Sequence, residues 1–347
     1  MSNLTLSIAP HEAAKQILQK LPGRRMRDVV EKRFGLKGGR ARTLQAIGGE
    51  YKITRERVRQ IEADALRHLA KPEYAGELTP FFKTVEDHLG RHCGVMGESR
   101  LFEDMAPKKF HPHLSLLLKV RPSFRYASED EKERARWALA EEDINHLGMV
   151  LERVARRVEE DHRVVSEDAL YTIAGEAARE IYGRDIPRSV LVSHMAVSRI
   201  IRRNPYGEYG LVGWPEVTPS GVKDKAYAAI AKVGKPLHFR DVASHIDRAG
   251  WSKKRAHPQT VHNELIKDSR FVLVGRGLYA LKEWGYEPGS VRDVMVAVCK
   301  QAASPLTKDE IISRSLVKRH VKIPTILLNL QNRSLFRRDG EGRYSLV

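Results

Sequence analysis

The chain has 347 residues and carries 61 Lys and Arg against 44 Asp and Glu, a formal net charge of +17. That length exceeds one small domain, and the cation excess favours a polyanionic partner. No apolar run approaches bilayer-spanning length and no basic amphipathic helix with large apolar anchors is evident, which argues against a membrane.

The first ten residues lack the basic segment and long apolar core of a signal peptide. Two cysteines, Cys93 and Cys299, sit far apart in apolar patterns that read as helices, with no CxxC or Cys/His cluster. This fits a reducing cytoplasm and argues against zinc. The first strong signal in chain order runs from Arg42 to Leu69, which reads as a helix, a tight turn and a second helix. Thr54 stands where an N-cap belongs, followed by Arg55-Glu-Arg-Val-Arg-Gln60. At helical periodicity Arg55, Glu56, Arg59 and Gln60 share one face, while Val58, Ile61, Ala65 and Leu69 fall on the other. A helix in a DNA major groove uses such a set: Arg can fork onto guanine, Gln onto adenine, and Glu can accept from cytosine N4. Residues 24–71 hold 14 Lys and Arg and 6 Asp and Glu, so +8 of the +17 lies there.

This stretch resembles region four of bacterial housekeeping sigma factors. The resemblance is carried by Leu21-Pro-Gly-Arg-Arg-Met-Arg-Asp-Val-Val-Glu-Lys-Arg-Phe-Gly-Leu36, by Thr43-Leu44 and by Thr54-Arg-Glu-Arg-Val-Arg-Gln-Ile-Glu-Ala63, and spans residues 21–74. It implies a helix-turn-helix that binds the −35 promoter element of double-stranded DNA and rests on RNA polymerase. Arg55, Glu56, Arg59 and Gln60 would then read bases and backbone, Thr43, Leu44 and Thr54 would contact phosphate, and Arg57 and Arg67 would be supporting cations. The family usually carries Lys where this chain has Asp64. A lost cation releases fewer counterions and lowers affinity.

The rest of the chain is organised by a repeat. Segments ending at Leu139, Leu211, Leu281 and Leu346 each finish with aromatic-x-Leu, the aromatics being Trp137, Tyr209, Tyr279 and Tyr344 at spacings of 72, 70 and 65. Pro112, Pro187, Pro258 and Pro324 each open a helical pattern upstream. Pro236-Leu237 and Pro305-Leu306 recur before the middle helix of the last two copies, where the second copy has Val165. Each unit reads as a helix, a short helix, a Pro-started helix and a strand pair, clearest in Phe271–Leu281 with its Gly275-Arg-Gly277 turn. The predicted fold class is mainly α: a helix-turn-helix followed by tandem winged-helix units with short two-stranded wings. The predicted units are 78–139 (degenerate), 140–214, 222–285 and 289–347 (diverged), each around its own small core, the third sealed by Tyr279 and Leu281. The third unit resembles HARE-type helix-turn-helix domains through Pro236–Val242, His257-Pro-Gln-Thr-Val261 and Phe271–Leu281.

In the third unit Lys253, Lys254 and Arg255 precede the Pro258 helix, along which lie Gln259, His262 and Asn263, a set suited to phosphate and base contact. The fourth offers Lys318-Arg319-His320 and Lys322 before a mostly apolar helix, which suits docking better. His111 and His113 around Pro112 do not make a metal site. Gly35-Leu-Lys-Gly-Gly39 is a basic loop without P-loop spacing. The carboxylates of Glu129–Glu133 and Glu141–Asp143 read as solvated helix starts. No nucleophile has a base and an orienter, so neither a catalytic residue, a metal, a cofactor nor a small-molecule substrate is expected. The expected function is sequence-directed DNA binding in bacterial transcription, by a sigma-like accessory factor or regulator rather than a complete sigma factor. An aromatic segment that melts the −10 element is not expected in the roughly twenty residues before Leu21. The alternatives are a polymerase-docking protein that reads no DNA and, more remotely, a subunit of a restriction system.

Overall fold

A computed structural model describes residues 6–286, 289–319 and 321–347. Residues 1–5 of the N-terminal stretch and His320 of the basic run lie outside them. The chain divides into two compact units, one holding the described residues up to His162 with Glu167–Ile201, the other Arg163–Ser166 with Arg202–Val347. Among the described residues, no helix is long and apolar enough to cross a membrane.

The first unit opens with α1 (Pro10–Gln19), α2 (Arg24–Phe34), α3 (Leu44–Tyr51), α4 (Arg55–Leu69) and the short α5 (Pro72–Ala75). There follow α6 (Thr79–Arg91), β1 (Val95–Gly97), α7 (Glu98–Met105), α8 (His111–Lys119), β2 (Arg125–Ala127) and β3 (Arg136–Ala138), then α9 (Glu141–Glu160), α10 (Glu167–Tyr182) and α11 (Arg188–Met195). The repeat predicts a separate core for each module. In this unit one apolar core instead runs from Ile17 and Leu21 through Val30 and Leu69 to Phe81, Leu114 and Trp137. The far end of α4 is therefore anchored in the same interior as the first winged unit. Each such apolar side chain, fully buried, contributes about 1.5–3 kcal/mol. A smaller core of Val29, Ile47 and Val58, flanked by Leu44, Tyr51, Ile53 and Ile61, holds α2, α3 and the start of α4 together.

The hairpin β4 (Ile201–Arg203) and β5 (Tyr209–Leu211) leads into the third winged unit: α12 (Val222–Val233), β6 (Leu237–His238), α13 (Phe239–Ala249), α14 (Pro258–Lys267), β7 (Phe271–Gly275) and β8 (Leu278–Leu281). The fourth comprises α15 (Val291–Gln301), α16 (Lys308–Lys318), α17 (Ile323–Leu330), β9 (Phe336–Arg338) and β10 (Tyr344–Leu346). Here the cores are separate. Ile230, Val242, Val261, Tyr279 and Leu281 belong to one, Val294, Ile311, Ile326 and Phe336 to the other. Tyr279 and Leu281 are buried, as the pattern predicts.

The repeat has a common register that the aromatic-x-Leu endings alone do not reveal. Each aromatic pairs with a residue just ahead of the middle helix: Trp137 with Met96, Tyr209 with Val165, Tyr279 with Leu237 and Tyr344 with Leu306. In the first and third units these contacts extend the wing into three-stranded sheets ordered β1-β3-β2 and β6-β8-β7. The recurrent Leu237 and Leu306 are thus the third strand of the wing, reduced in the second and fourth units to a single bridge.

Two sequence readings need correction. Cys93 lies past the end of α6 in a turn with φ of 59°, not in a helix. Glu129–Glu133 forms the β2–β3 connection rather than a helix start. There Asp130 Oδ1 accepts from the N–H groups of Lys132 and Glu133, and Glu133 pairs with the buried Arg136 at 2.8 Å. A short polar side chain that binds the backbone competes with helix formation. Glu141–Asp143 does open a helix, α9.

Candidate nucleic-acid interface

The helix-turn-helix is built by its caps and one close approach. Thr43 and Thr54 are both extended N-caps. The Thr43 hydroxyl accepts from the Ala46 N–H at 3.2 Å and the Thr54 hydroxyl from the Arg57 N–H at 3.1 Å. Each satisfies one donor of a first helical turn and leaves the others free to meet an anion. Between the helices Ile53 N–H bonds to the Gly48 carbonyl at 2.9 Å, and a Cβ on Gly48 would lie 2.7 Å from the Ile53 carbonyl oxygen. The turn therefore closes only over a glycine at this position.

The inner face of α4 is as predicted: Val58, Ala65 and Leu69 are buried and Ile61 packs against the small core that holds Val58. Arg55, Glu56, Arg57, Arg59, Gln60 and Arg67 are exposed, together with Thr43 and Thr54. Leu44 is different, since its side chain packs into the small core. What it can offer a phosphate is its backbone N–H at the start of α3.

The outward residues are paired with one another. Arg59 donates to Glu56 through Nε at 2.9 Å and through a terminal nitrogen at 2.7 Å, and Arg57 donates to Gln60 Oε1 at 3.1 Å. The hydrogen bond from Arg59 lowers the pKa of Glu56, which keeps that carboxylate an acceptor. With both partners more than half exposed, the pair is weak. Asp64 pairs with Arg67 at 3.0 Å, so this exposed guanidinium has a carboxylate beside it on the same helix.

Several cations of this region are occupied in holding it together. Lys32 bridges Asp28 and Glu50 at 2.7 and 2.6 Å, Arg42 pairs with Glu50, Tyr51 donates to Asp28, and Arg33 spans Glu62 and the Arg42 carbonyl. Arg40 and Arg55 stand exposed with no ion pair among the described residues. Sequence reasoning missed Arg40, which was visible only within the local charge excess.

In the third unit Lys253, Lys254 and Arg255 are exposed in the loop between α13 and α14. Asp247 fixes that loop by accepting from the Ala256 N–H at 2.7 Å. On α14, Gln259 donates to Asn263 at 3.2 Å and both are exposed. His262 is half-buried, its ring 4.6 Å from Phe239 and 5.8 Å from Tyr279. The structure leaves Lys253–Arg255 and the two amides exposed and turns His262 inward.

The exposed face of α4, the two threonine caps and the glycine turn all fall within a matched family segment. Residues 17–71 match Sigma-70, region 4. The RNA polymerase sigma factor SigA of Clostridium acetobutylicum is 53% identical over 53 residues, 15% of this chain and 14% of that protein. RpoD of Neisseria gonorrhoeae is 39% identical over 79 residues, 23% of this chain and 12% of that protein. SigA of Listeria monocytogenes is 43% identical over 72 residues, 21% of this chain and 19% of that protein. This chain thus spans less than a fifth of each of these relatives. The region-four segment takes in α2, α3 and α4 with their capping residues.

Among the described residues, no group of three or more His, Cys, Asp or Glu could hold a metal ion.

Proposed function

We propose that this chain is a DNA-binding transcription factor acting with bacterial RNA polymerase at promoter-like sites, as a sigma-like accessory factor or regulator. The observation that carries this is the outward face of α4: Arg55, Glu56, Arg59 and Gln60, exposed on a capped helix within a segment matching region four of sigma-70 factors. Arg59 and Glu56 exchange their mutual pair for a guanine and a cytosine edge, Gln60 meets adenine, and the free amides and hydroxyls at Thr43, Leu44 and Thr54 meet phosphate. Arg57 and Arg67 support from the flanks. The winged units, taken as 78–139, 140–214, 222–285 and 289–347, are the accessory part, and the third is HARE-like. Its Lys253, Lys254, Arg255, Gln259 and Asn263 add a second grip on the duplex, with His262 positioning the helix. Joined in one chain, two such grips multiply affinity by about 10²–10⁴ without new contacts.

For the fourth unit one observation favours docking to protein instead. Val317 on α16 and Leu328 on α17 are 77% and 68% exposed, large apolar groups set in water.

Selection of bound sequences from a random duplex pool, alongside capture of RNA polymerase by the purified full chain, tests the proposal. A selected motif that needs Arg59 supports it. Polymerase capture with no sequence preference would replace it by the docking alternative.

A further inference from the structure

A cavity of about 580 Å³ opens beside α1, α2 and the start of α8, within the range of small-molecule sites. Four cations converge on it: Lys15 from α1, Arg27 from α2, Lys37 from the Gly35–Gly39 loop and Lys109 just before α8. Glu31 is the one carboxylate in the lining, so four positive charges against one negative leave +3. Lys37 is paired with Glu31 at 2.7 Å. Arg27 donates only to neutral oxygens, the carbonyls of Leu18 and Gln19, which leaves its charge uncompensated among the described residues. Lys109 rests over the Phe110 ring at 4.8 Å. The fold does not require such a convergence, since like charges around a shared space repel.

The rest of the lining mixes apolar side chains with Gln19 and two imidazoles. Leu18, Leu36 and Phe110 contribute, and the His11 ring stacks on Phe110 at 4.5 Å with planes only 10° apart. His113 also lines the cavity. Its Nδ1 is buried with no hydrogen-bond partner, which is costly for a polar atom. Burial and then the neighbouring His11 lower its pKa, against a hydrogen bond to the Leu36 backbone that raises it.

We propose that this cavity binds a nucleoside phosphate. The phosphates meet Lys15, Arg27, Lys37 and Lys109, the base lies against Leu18, Leu36 and the Phe110–His11 stack, and the orphaned His113 nitrogen takes a polar group of the base. An inorganic anion would satisfy the cations and leave the apolar wall wet, while a neutral aromatic would strand the charges. Phosphate competes with Glu31 for Lys37, so occupancy restrains the Gly35–Gly39 loop that joins α2 to α3. The site stands independently of how α4 reads DNA.

The test is calorimetric titration of the full chain with ATP and GTP and, separately, with pyrophosphate, at fixed ionic strength with EDTA. The expected result is one site for at least one nucleotide, filled at least about tenfold more tightly than by pyrophosphate, a difference of about 1.4 kcal/mol. Lys15→Glu with Lys109→Glu weakens it by about tenfold or more, since two attractive charges become repulsive. Both lysines are on the surface, and unchanged thermal unfolding without ligand verifies that this variant folds. Arg55→Glu with Arg59→Glu leaves nucleotide binding intact, and hydrogen exchange slows at residues 35–39 on binding. Absence of binding at millimolar nucleotide overturns the proposal. So does equal affinity for pyrophosphate, or loss through the α4 variant in place of the cavity variant.

Discussion

The two candidate recognition helices, α4 and α14, differ in where their polarity lies. α4 begins at a threonine cap and carries its charges along its own outward face, where Arg59 and Glu56 hold each other. α14 begins at Pro258 without a side-chain cap, shows an amide pair, and has its three cations in the loop before it. On the proposed reading α4 supplies specificity and the third unit supplies grip. Charges fixed on a helix can be aimed at base edges, whereas charges on a loop are better suited to the regular negative backbone. The interiors differ as well. α4 is anchored in a core shared with the winged unit that follows, while α14 belongs to a core of its own.

Four experiments break or sharpen that contrast. The largest effect is expected from Leu281→Ala, which removes a fully buried side chain from the third core and should cost about 2–5 kcal/mol. Hydrogen-exchange protection should fall across α12 to β8 and persist in α2 to α4. Loss in both would mean that the cores are coupled. Next, Arg59→Ala should weaken binding to the preferred site by about 1–3 kcal/mol and flatten selection at one base pair. Equal loss on every sequence would make Arg59 a phosphate clamp, and the contrast with α14 would vanish. Third, changing Lys253, Lys254 and Arg255 together to Ala should reduce the slope of log affinity against log salt by roughly one to three units. The selected motif should stay the same, and an unchanged slope would remove the third unit from the DNA. The smallest effect is expected from Asp64→Asn. Freeing Arg67 from its exposed pair should raise affinity by less than about 1 kcal/mol and steepen the salt slope by up to about 0.9. A salt titration reads both, and a flat response would place Arg67 off the duplex.

Much of the helix-turn-helix was legible in advance because its signals are local. Thr54 caps where the pattern said, and Val58, Ala65 and Leu69 are inside. Caps and helical periodicity depend on neighbours within a turn or two. The wings were half legible. Phe271–Leu281 announced a hairpin, but pairing of Tyr279 with Leu237 joins residues far apart in sequence, which no local pattern specifies. The carboxylates at 129–133 misled because the same composition serves a helix start or a polar turn.

By itself the amino-acid sequence determined the capped α4, its charged outer and apolar inner faces, the local cation excess and the four-fold recurrence of aromatic-x-Leu. All of these follow from chemistry within a helical turn or from counting. Tertiary structure alone decided which of those charges remain available. It spent Lys32 and Arg42 on Glu50, and turned His262 toward Phe239. It also merged the α4 anchor with the first winged unit and gathered Lys15, Arg27, Lys37 and Lys109 around one cavity. The physical reason is that ion pairing and packing depend on distances of a few ångströms between segments remote in the chain, and only the folded backbone fixes those distances.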